Sequence, residues 1–272
     1  MYNTFTNKMK QLLNVHKPRG LTPLQTIGLV RKKFPEYKDE KIGFAGRLDP
    51  LAHGVLTLMV GEETTKEKDK YLNLPKEYEF EAVFGVSTDT YDALGIISNE
   101  AMKQFNNENL KDEIENFIKS KLGKQTQIYP PYSSKTVEGK PLFEWARENK
   151  LAEIEVPARE IEIFDFKLLA KNSISVENLK KEIFSQVSSV QGDFRQNEIK
   201  EKWQDFFSHP GRSEGSDKTF LTARFTIACS SGTYVRSLVN DLGEKLRTGA
   251  IALEILRTKV GEYRLNDSLK LL

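Results

Sequence analysis

The residue best placed for chemistry is Asp49, in the loop GRLDP at positions 46–50. Gly46 and Gly54 permit a tight, irregular backbone here, and Pro50 biases Asp49 towards an extended conformation. A carboxylate held on such a loop can act as a nucleophile or as a general base. An Asp before a Pro more often only stabilises a turn, so both interpretations stay open from the loop alone.

Basic residues are concentrated near the start of the chain. Between positions 8 and 47 there are ten Lys and Arg residues and three acidic residues, although the formal net charge of the whole chain is only +2. Such a segment can follow a phosphate backbone. It equally fits an ordinary solvated surface, which is the interpretation that charge alone favours.

The composition is that of a folded globular protein, with 38% hydrophobic and 29% charged residues and no internal repeat. The first residues lack the apolar core of a signal peptide, and no apolar run is long enough to span a bilayer. We therefore expect a cytoplasmic protein without a membrane segment. Three scattered His and one Cys argue against a metal site and exclude an internal disulfide.

Helix signals occur at three places that matter for Asp49. Thr22, Pro23 and Gln25 have the types and spacing of a helix start, with a Thr cap and Pro at the first helical position. Apolar residues at 110, 114, 117 and 118 predict a second helix. After a Gly turn at Gly232, the pattern changes from period two to period 3.6, which predicts a strand, a turn and a helix.

Strand signals lie between and after these helices. Residues 78–86 alternate between apolar and acidic side chains, which is the period of a half-buried strand. Two further strands are predicted over 161–169 and 220–229. Strands and helices in this irregular order indicate an α+β fold with a mixed, mostly antiparallel sheet flanked by helices and loops.

Six stretches of the chain resemble, in order, the motifs of the TruB family of pseudouridine synthases. They are KPRGLT at 17–22, GRLDPLAHGVL at 46–56, KEY at 76–78, GVSTDTYDALG at 85–95, PPYSSKTVEGK at 130–140 and CSSGTYVR at 229–236, and residues 256–258 and 260–261 resemble the last block. The family makes pseudouridine at position 55 of tRNA. The resemblance implies a pseudouridine synthase fold and this activity, without a cofactor or a metal.

The resemblance also implies roles for single residues. Asp49 occupies the position of the family's nucleophile, and Arg236 that of the arginine paired with it. Tyr78 matches the aromatic residue on which the extruded uracil stacks. Without the resemblance, Arg236 would be interpreted as a phosphate contact or a surface charge, and Tyr78 as a core residue.

Three more residues fall at substrate-binding positions of the family. Tyr234 and Leu256 match residues that line the uracil pocket. Phe44 stands where the family commonly has a His, and we expect it to fill the place that the extruded base leaves in the RNA stack. Arg47 stands where the family usually has a small residue. These two departures, at Phe44 and Arg47, bear on which uridine the enzyme modifies.

At the level of domains, we expect residues 1–272 to form a single catalytic domain that works as a monomer. A segment of about 125–150, with interleaved basic and aromatic residues, matches the part of the family that closes over the T arm of tRNA. Residues 191–218 are polar and rich in turn residues, which predicts an exposed insertion. We expect no C-terminal RNA-binding PUA domain after the last block, and nothing implies a protein partner.

Three alternatives remain at this stage. The same reaction could take place at another RNA site, because of Phe44 and Arg47. The chain could instead be a tRNA-binding folding helper with little activity, against which the retained Asp49, Tyr78 and Arg236 argue. A metal-free aspartate hydrolase has only Asp49 and its loop in its favour.

Overall fold

A computed structural model of the chain describes residues 11–98, 110–209 and 219–272. The strands are β1 Gln11–Lys17, β2 Ile42–Ala45, β3 His53–Val60, β4 Lys76–Phe84, β5 Gly123–Ile128, β6 Thr136–Val137, β7 Lys140–Pro141, β8 Ala158–Ser175, β9 Thr219–Cys229, β10 Ala250–Val260, β11 Tyr263–Arg264 and β12 Leu269–Lys270. The helices are α1 Pro23–Lys33, α2 Glu62–Lys66, α3 Lys68–Leu72, α4 Leu110–Lys121, α5 Leu142–Arg147, α6 Val176–Ser189, α7 Gln196–Ser208 and α8 Val235–Lys245.

One large sheet organises the described part of the chain. Its order is β12-β1-β3-β10-β4-β9-β8-β5, with β2 paired to β3 and β11 paired to β10. Only the pairs β1 with β12 and β10 with β3 are parallel among the pairings of the described strands. The prediction of an α+β fold with a mixed, mostly antiparallel sheet is therefore confirmed.

Both faces of the sheet are covered. Alternate residues of β4 point to opposite sides, so Phe80 belongs to a core shared with α4 and α8, whereas Val83 belongs to a core shared with α6 and α7. A third core joins β1, β3 and α1. Among the described residues, no helix is long and apolar enough to cross a membrane.

The helix that precedes the Asp49 loop begins where the sequence predicts. The Thr22 hydroxyl accepts a hydrogen bond from the backbone N–H of Gln25, and the Gln25 side chain accepts one from the backbone N–H of Thr22. This reciprocal capping satisfies two N–H groups that a helix start leaves unpaired. Helix α8 likewise follows the turn at Gly232, whose φ of +84° favours a residue without a side chain.

The expectation of an exposed insertion over 191–218 is wrong for most of its described part. Residues 196–208 form helix α7, and its apolar face is buried against α6 and the sheet. Ile199, Trp203, Phe206 and Phe207 recur at helical spacing and lie in this core. The turn residues on both sides of the helix obscured this pattern; positions 210–218 lie outside the described residues.

Candidate active site

One cavity brings together most of the residues that the sequence analysis selected. It has a volume of about 230 Å³, and we name it the Asp49 cavity. Its polar lining residues are Arg47, Asp49, Lys76, Tyr78, Ser133, Ser134, Arg159, Ser231, Thr233, Tyr234, Arg236 and Arg257. They come from the loop after β2, the start of β4, the segment after β5, the start of β8, the turn before α8, the first turn of α8 and the strand β10.

Asp49 and Arg236 are 187 positions apart in the sequence and are in direct contact. The Nε of Arg236 donates a hydrogen bond of 2.7 Å to Oδ2 of Asp49. The Asp49 side chain is 35% exposed, whereas that of Arg236 is 3% exposed. The carboxylate therefore reaches the cavity while its cationic partner is held behind it.

Arg236 is fixed by three segments besides its own helix. In addition to its bond with Asp49, one terminal nitrogen donates to the carbonyl of Thr90, and the other donates to the carbonyl of Tyr132 over 3.2 Å. Burial lowers the pKa of Arg236, but the carboxylates of Asp49 and Asp92 raise it by more, so that the net shift is upward. The guanidinium stays charged and has a single orientation towards Asp49.

Asp92 is a second carboxylate beside the same guanidinium. Its Oδ2 lies 3.7 Å from Nε of Arg236, and its Oδ1 accepts hydrogen bonds from the Thr90 hydroxyl and the backbone N–H of Leu94. Burial raises the pKa of Asp92 to about 6, against the lowering effect of Arg236. The sequence analysis gave Asp92 no role beyond its place in a motif, and the structure adds this contact with Arg236.

Tyr78 lies in the wall of the cavity, with its side chain buried. Arg257 lies beside it, and burial raises the pKa of Tyr78 while Arg257 lowers it. Arg257 is itself fully buried and donates to the carbonyls of Val55 (2.7 Å), Arg47 (3.0 Å) and Gly46 (3.3 Å). One guanidinium thus lies beside Tyr78 and holds the backbone just before Asp49.

Two buried lysines lie near Asp49. Lys17 donates to the carbonyls of Pro18 (2.9 Å) and Pro50 (3.3 Å), and also to that of Leu21. Burial lowers the pKa of Lys17 to about 7, against the raising effect of Asp49. Lys76 lines the cavity, and burial, followed by the charge of Arg257, lowers its pKa to about 8.

Tyr234 lines the Asp49 cavity, as the resemblance implies. Its backbone N–H donates to Gln127 Oε1 over 2.8 Å, and its carbonyl accepts from Gln127 Nε2 over 3.1 Å. Its ring lies edge-on to Tyr129, with 5.6 Å between centroids. Burial raises the pKa of Tyr234 to about 12, so the phenol is neutral at ordinary pH.

Leu256 is not among the residues that line the Asp49 cavity. Its neighbours in β10, Ile255 and Arg257, line the cavity, and successive residues of a strand point to opposite faces. The role of Leu256 in the uracil pocket stays a prediction from the resemblance.

Phe44 does not line the Asp49 cavity either. It is half-buried on β2 and packs on the core of β1, β3 and α1. The guanidinium carbon of Arg47 lies 5.6 Å from the centroid of its ring. Phe44 is thus linked to the cavity through Arg47, which does line it.

The sequence analysis assigned no role to four side chains of the site: Lys17, Lys76, Asp92 and Arg257. Three of them occur inside motifs quoted for the family, and Arg257 lies in the last block, so their positions were known but their roles were not. Their burial was the missing information, because Lys and Arg are seldom fully buried. Among the described residues, no group of three or more His, Cys, Asp or Glu could hold a metal ion.

The described fold is that of the pseudouridine synthases. The chain superposes on a chain of the crystal structure of a Cbf5-Nop10-Gar1 complex with a TM-score of 0.57 at 18% identity, covering 97% of this chain and 53% of the other. For the archaeal box H/ACA sRNP Nop10-Cbf5 complex the TM-score is 0.51 at 17% identity, with 97% and 52% covered. This chain spans about half the length of those chains.

Comparison of sequences defines the family. A sequence model of the TruB family pseudouridylate synthase, N-terminal domain, matches residues 31–193. The tRNA pseudouridine synthase B of Clostridium tetani is 31% identical over 264 residues, which are 97% of this chain and 72% of that protein. The protein of the same name from Trichormus variabilis is 33% identical over 264 residues, 97% of this chain and 71% of the other. The chain belongs to the TruB family of pseudouridylate synthases.

Proposed function

We propose that this chain converts uridine to pseudouridine at position 55, in the T loop of tRNA, with Asp49 as the nucleophile. The observation that carries the proposal is the contact between the partly exposed Asp49 carboxylate and the buried Arg236 guanidinium. The relatives named tRNA pseudouridine synthase B support tRNA as the substrate. The motifs that match the family support position 55.

The reaction must break the bond between N1 of uracil and the sugar, turn the base and rejoin it through C5. C5 then loses its proton, and N1 carries one in the product. Asp49 divides this into easier steps by adding covalently to the substrate, and Arg236 holds the carboxylate in one orientation through its 2.7 Å hydrogen bond. The ring of Tyr78 stacks on the base, and its hydroxyl, beside Arg257, is available to move a proton.

The RNA-gripping segment, residues 125–150, has direct links to this chemistry. The carbonyl of Tyr132 accepts from Arg236, and Ser133 and Ser134 line the Asp49 cavity. In the same segment, Lys140 lies 4.5 Å from the ring centroid of Trp145. Basic and aromatic side chains placed together suit RNA that is held by its backbone and by stacked bases.

The remaining features of the proposal concern the molecule as a whole. We infer one catalytic domain over residues 1–272, because one ten-stranded sheet and three cores run through most of the described part of the chain. We also infer a monomer that works in the cytoplasm on the T arm of tRNA. Sedimentation of the protein with and without a tRNA transcript tests the oligomeric state.

Asp49→Asn is the central test. The variant keeps the size of the side chain but removes the nucleophilic charge, so we expect no pseudouridine in a tRNA transcript and retained RNA binding. Asp39→Asn is the matched control, because Asp39 is exposed and outside the Asp49 cavity; it should be fully active. Near-normal turnover by the Asp49→Asn variant would remove the mechanism.

A second candidate keeps the reaction and changes the uridine. It is favoured by Arg47, which is exposed at the cavity and lies over Phe44, where the family has other residues. Mapping pseudouridine in RNA from cells with and without the gene separates the two: loss at tRNA position 55 supports the first, and loss only elsewhere supports the second. A folding helper would show RNA binding with no isomerisation by the wild-type chain.

A further inference from the structure

The turn between α6 and α7, residues 190–195, reaches the loop that carries Asp49. The backbone N–H of Gln191 donates to the carbonyl of Gly20 over 3.0 Å, and the Gln25 side chain donates to the carbonyl of Gln191 over 3.2 Å. Gly20 in turn donates its N–H to the carbonyl of Pro50 over 2.8 Å. The helical pair α6–α7 is therefore docked, through Gly20, on the residue that follows the proposed nucleophile.

The same turn is tied to the RNA-gripping segment on its other side. The guanidinium of Arg195 pairs with Asp89 over 2.9 Å and lies 4.4 Å from the ring centroid of Tyr132. Arg147 donates to the carbonyl of Asp193 over 3.0 Å. The turn thus connects the loop of Asp49 with the RNA-gripping segment, and contacts on both sides fix its position.

Between these contacts lies a second cavity, of about 400 Å³, which we name the Phe194 cavity. The residues that it shares with the Asp49 cavity are Arg47, Leu48, Asp49, Ser133, Ser134 and Arg236, so the two spaces adjoin along the proposed nucleophile. It is also lined by the rings of Tyr132, Phe143 and Phe194 and by the guanidinium groups of Arg147 and Arg195. Aromatic rings and guanidinium groups are what unstacked RNA bases and their phosphates contact.

We propose that the Phe194 cavity binds the nucleotide next to the target uridine, with its base stacked on Phe194. The inference rests on the proposed function, since an RNA whose uridine occupies the Asp49 cavity must continue along the shared rim. The Phe194 cavity is larger than the Asp49 cavity, at about 400 Å³ against 230 Å³. If the Asp49 cavity admits the uracil, the Phe194 cavity has room for the neighbouring base. Arg47 is exposed on the shared rim, where the phosphate between the two nucleotides passes.

This stacking role belongs to the turn between α6 and α7, which takes no part in the proposed reaction. Phe194 is half-buried and packs at the edge of the core of α6 and α7, and it also lines the cavity. Phe184 is the matched control, because it is half-buried in the same core and is outside both cavities. Phe194→Leu keeps an apolar side chain for packing and removes the ring.

The test combines protein variants with RNA substrates that lack single bases. Wild type, Phe194→Ala, Phe194→Leu and Phe184→Ala are assayed on a T-arm stem-loop, and on stem-loops with an abasic site on either side of the target uridine. Tritium released from C5-labelled uridine gives kcat and KM. We expect both Phe194 variants to raise KM about tenfold on the intact RNA, in the range of one lost base–aromatic stack, with little change in kcat.

On the stem-loop that lacks the stacked base, the wild type should lose the same factor and the Phe194 variants should lose nothing more. Phe184→Ala should match the wild type on every RNA. Equal losses from Phe194→Leu on intact and both abasic RNAs, or no loss at all, would overturn the subsite. Absence of tritium release by the wild type would refute the proposed function instead, so the two failures are distinguishable.

Discussion

Arg236→Ala is the substitution whose effects can be worked out furthest, because Arg236 faces two carboxylates with different surroundings. Asp49 is 35% exposed, so solvent can screen it when the guanidinium is lost, whereas Asp92 is 9% exposed and lies 3.7 Å from the same nitrogen. Loss of Arg236 therefore leaves Asp92 as a buried charge without its cation.

The expected cost in stability comes from Asp92. Removing one partner of a buried ion pair costs about 3 to 5 kcal/mol, which for a chain of this size lowers the midpoint of thermal unfolding by roughly 6 to 20 °C. The expected cost in rate comes from Asp49, which loses its 2.7 Å donor. Loss of one preorganised donor at a reacting group lowers kcat by about 10²- to 10³-fold.

A second substitution separates the two effects. Asp92→Asn in the Arg236→Ala background removes the unpaired charge, so the double variant should recover about 2 kcal/mol of unfolding free energy. It should recover none of the rate, because Asp49 still lacks its partner. Arg224→Ala is the control, since Arg224 and Glu79 form an exposed pair at 3.8 Å, which contributes little.

The stability loss should also depend on pH. The pKa of Asp92 in the folded wild type is about 6, above its ordinary value of 3.8, so the folded chain binds the extra proton between these values. Its charge therefore destabilises the fold as pH rises through 6, and losing Arg236, which lowers this pKa, enlarges the effect. Thermal unfolding at pH 5 and pH 8 measures the stability, and tritium release measures the rate. A double variant that regains kcat, or an unchanged unfolding midpoint for Arg236→Ala, would refute this reasoning.

Two further predictions concern Tyr78 and Lys17. Tyr78→Phe keeps the stacking ring but removes the hydroxyl beside Arg257, so kcat should fall with KM nearly unchanged in steady-state assays, and a rise in KM alone would contradict the proton-moving role. Burial lowers the pKa of Lys17 from 10.5 to about 7 in the fold, so the unfolded chain binds more protons between these values and stability should rise with pH across this range. Chemical denaturation from pH 7 to 10 should show this rise in the wild type and a flatter profile in Lys17→Met.

Much of the fold follows from local signals in the sequence. The cap at Thr22, the alternation along β4 and the change of period at Gly232 each depend on residues close in the chain, and each matches the structure. The helix α7 shows the limit of this approach. Its buried residues have helical spacing, but the turn residues on both sides of the helix favour an exposed loop.

The site itself depends on contacts between distant positions, which periodicity does not supply. The pairing of Asp49 with Arg236 could be expected only from the family resemblance, because 187 positions separate the two. The resemblance placed Leu256 in the uracil pocket, whereas the residues of β10 that line the Asp49 cavity are Ile255 and Arg257. Which side chains of β10 reach the cavity depends on how the strand is paired and oriented, which the family motif alone does not supply.

The buried cations explain why the Asp49 loop can have a fixed shape despite its glycines. Lys17 donates to the carbonyl of Pro50, just after Asp49, and Arg257 donates to the carbonyls of Gly46 and Arg47, just before it. The backbone is therefore held on both sides of Asp49 by groups that are themselves buried. The lysine whose burial costs the fold stability below pH 10 thus fixes the backbone next to the proposed nucleophile.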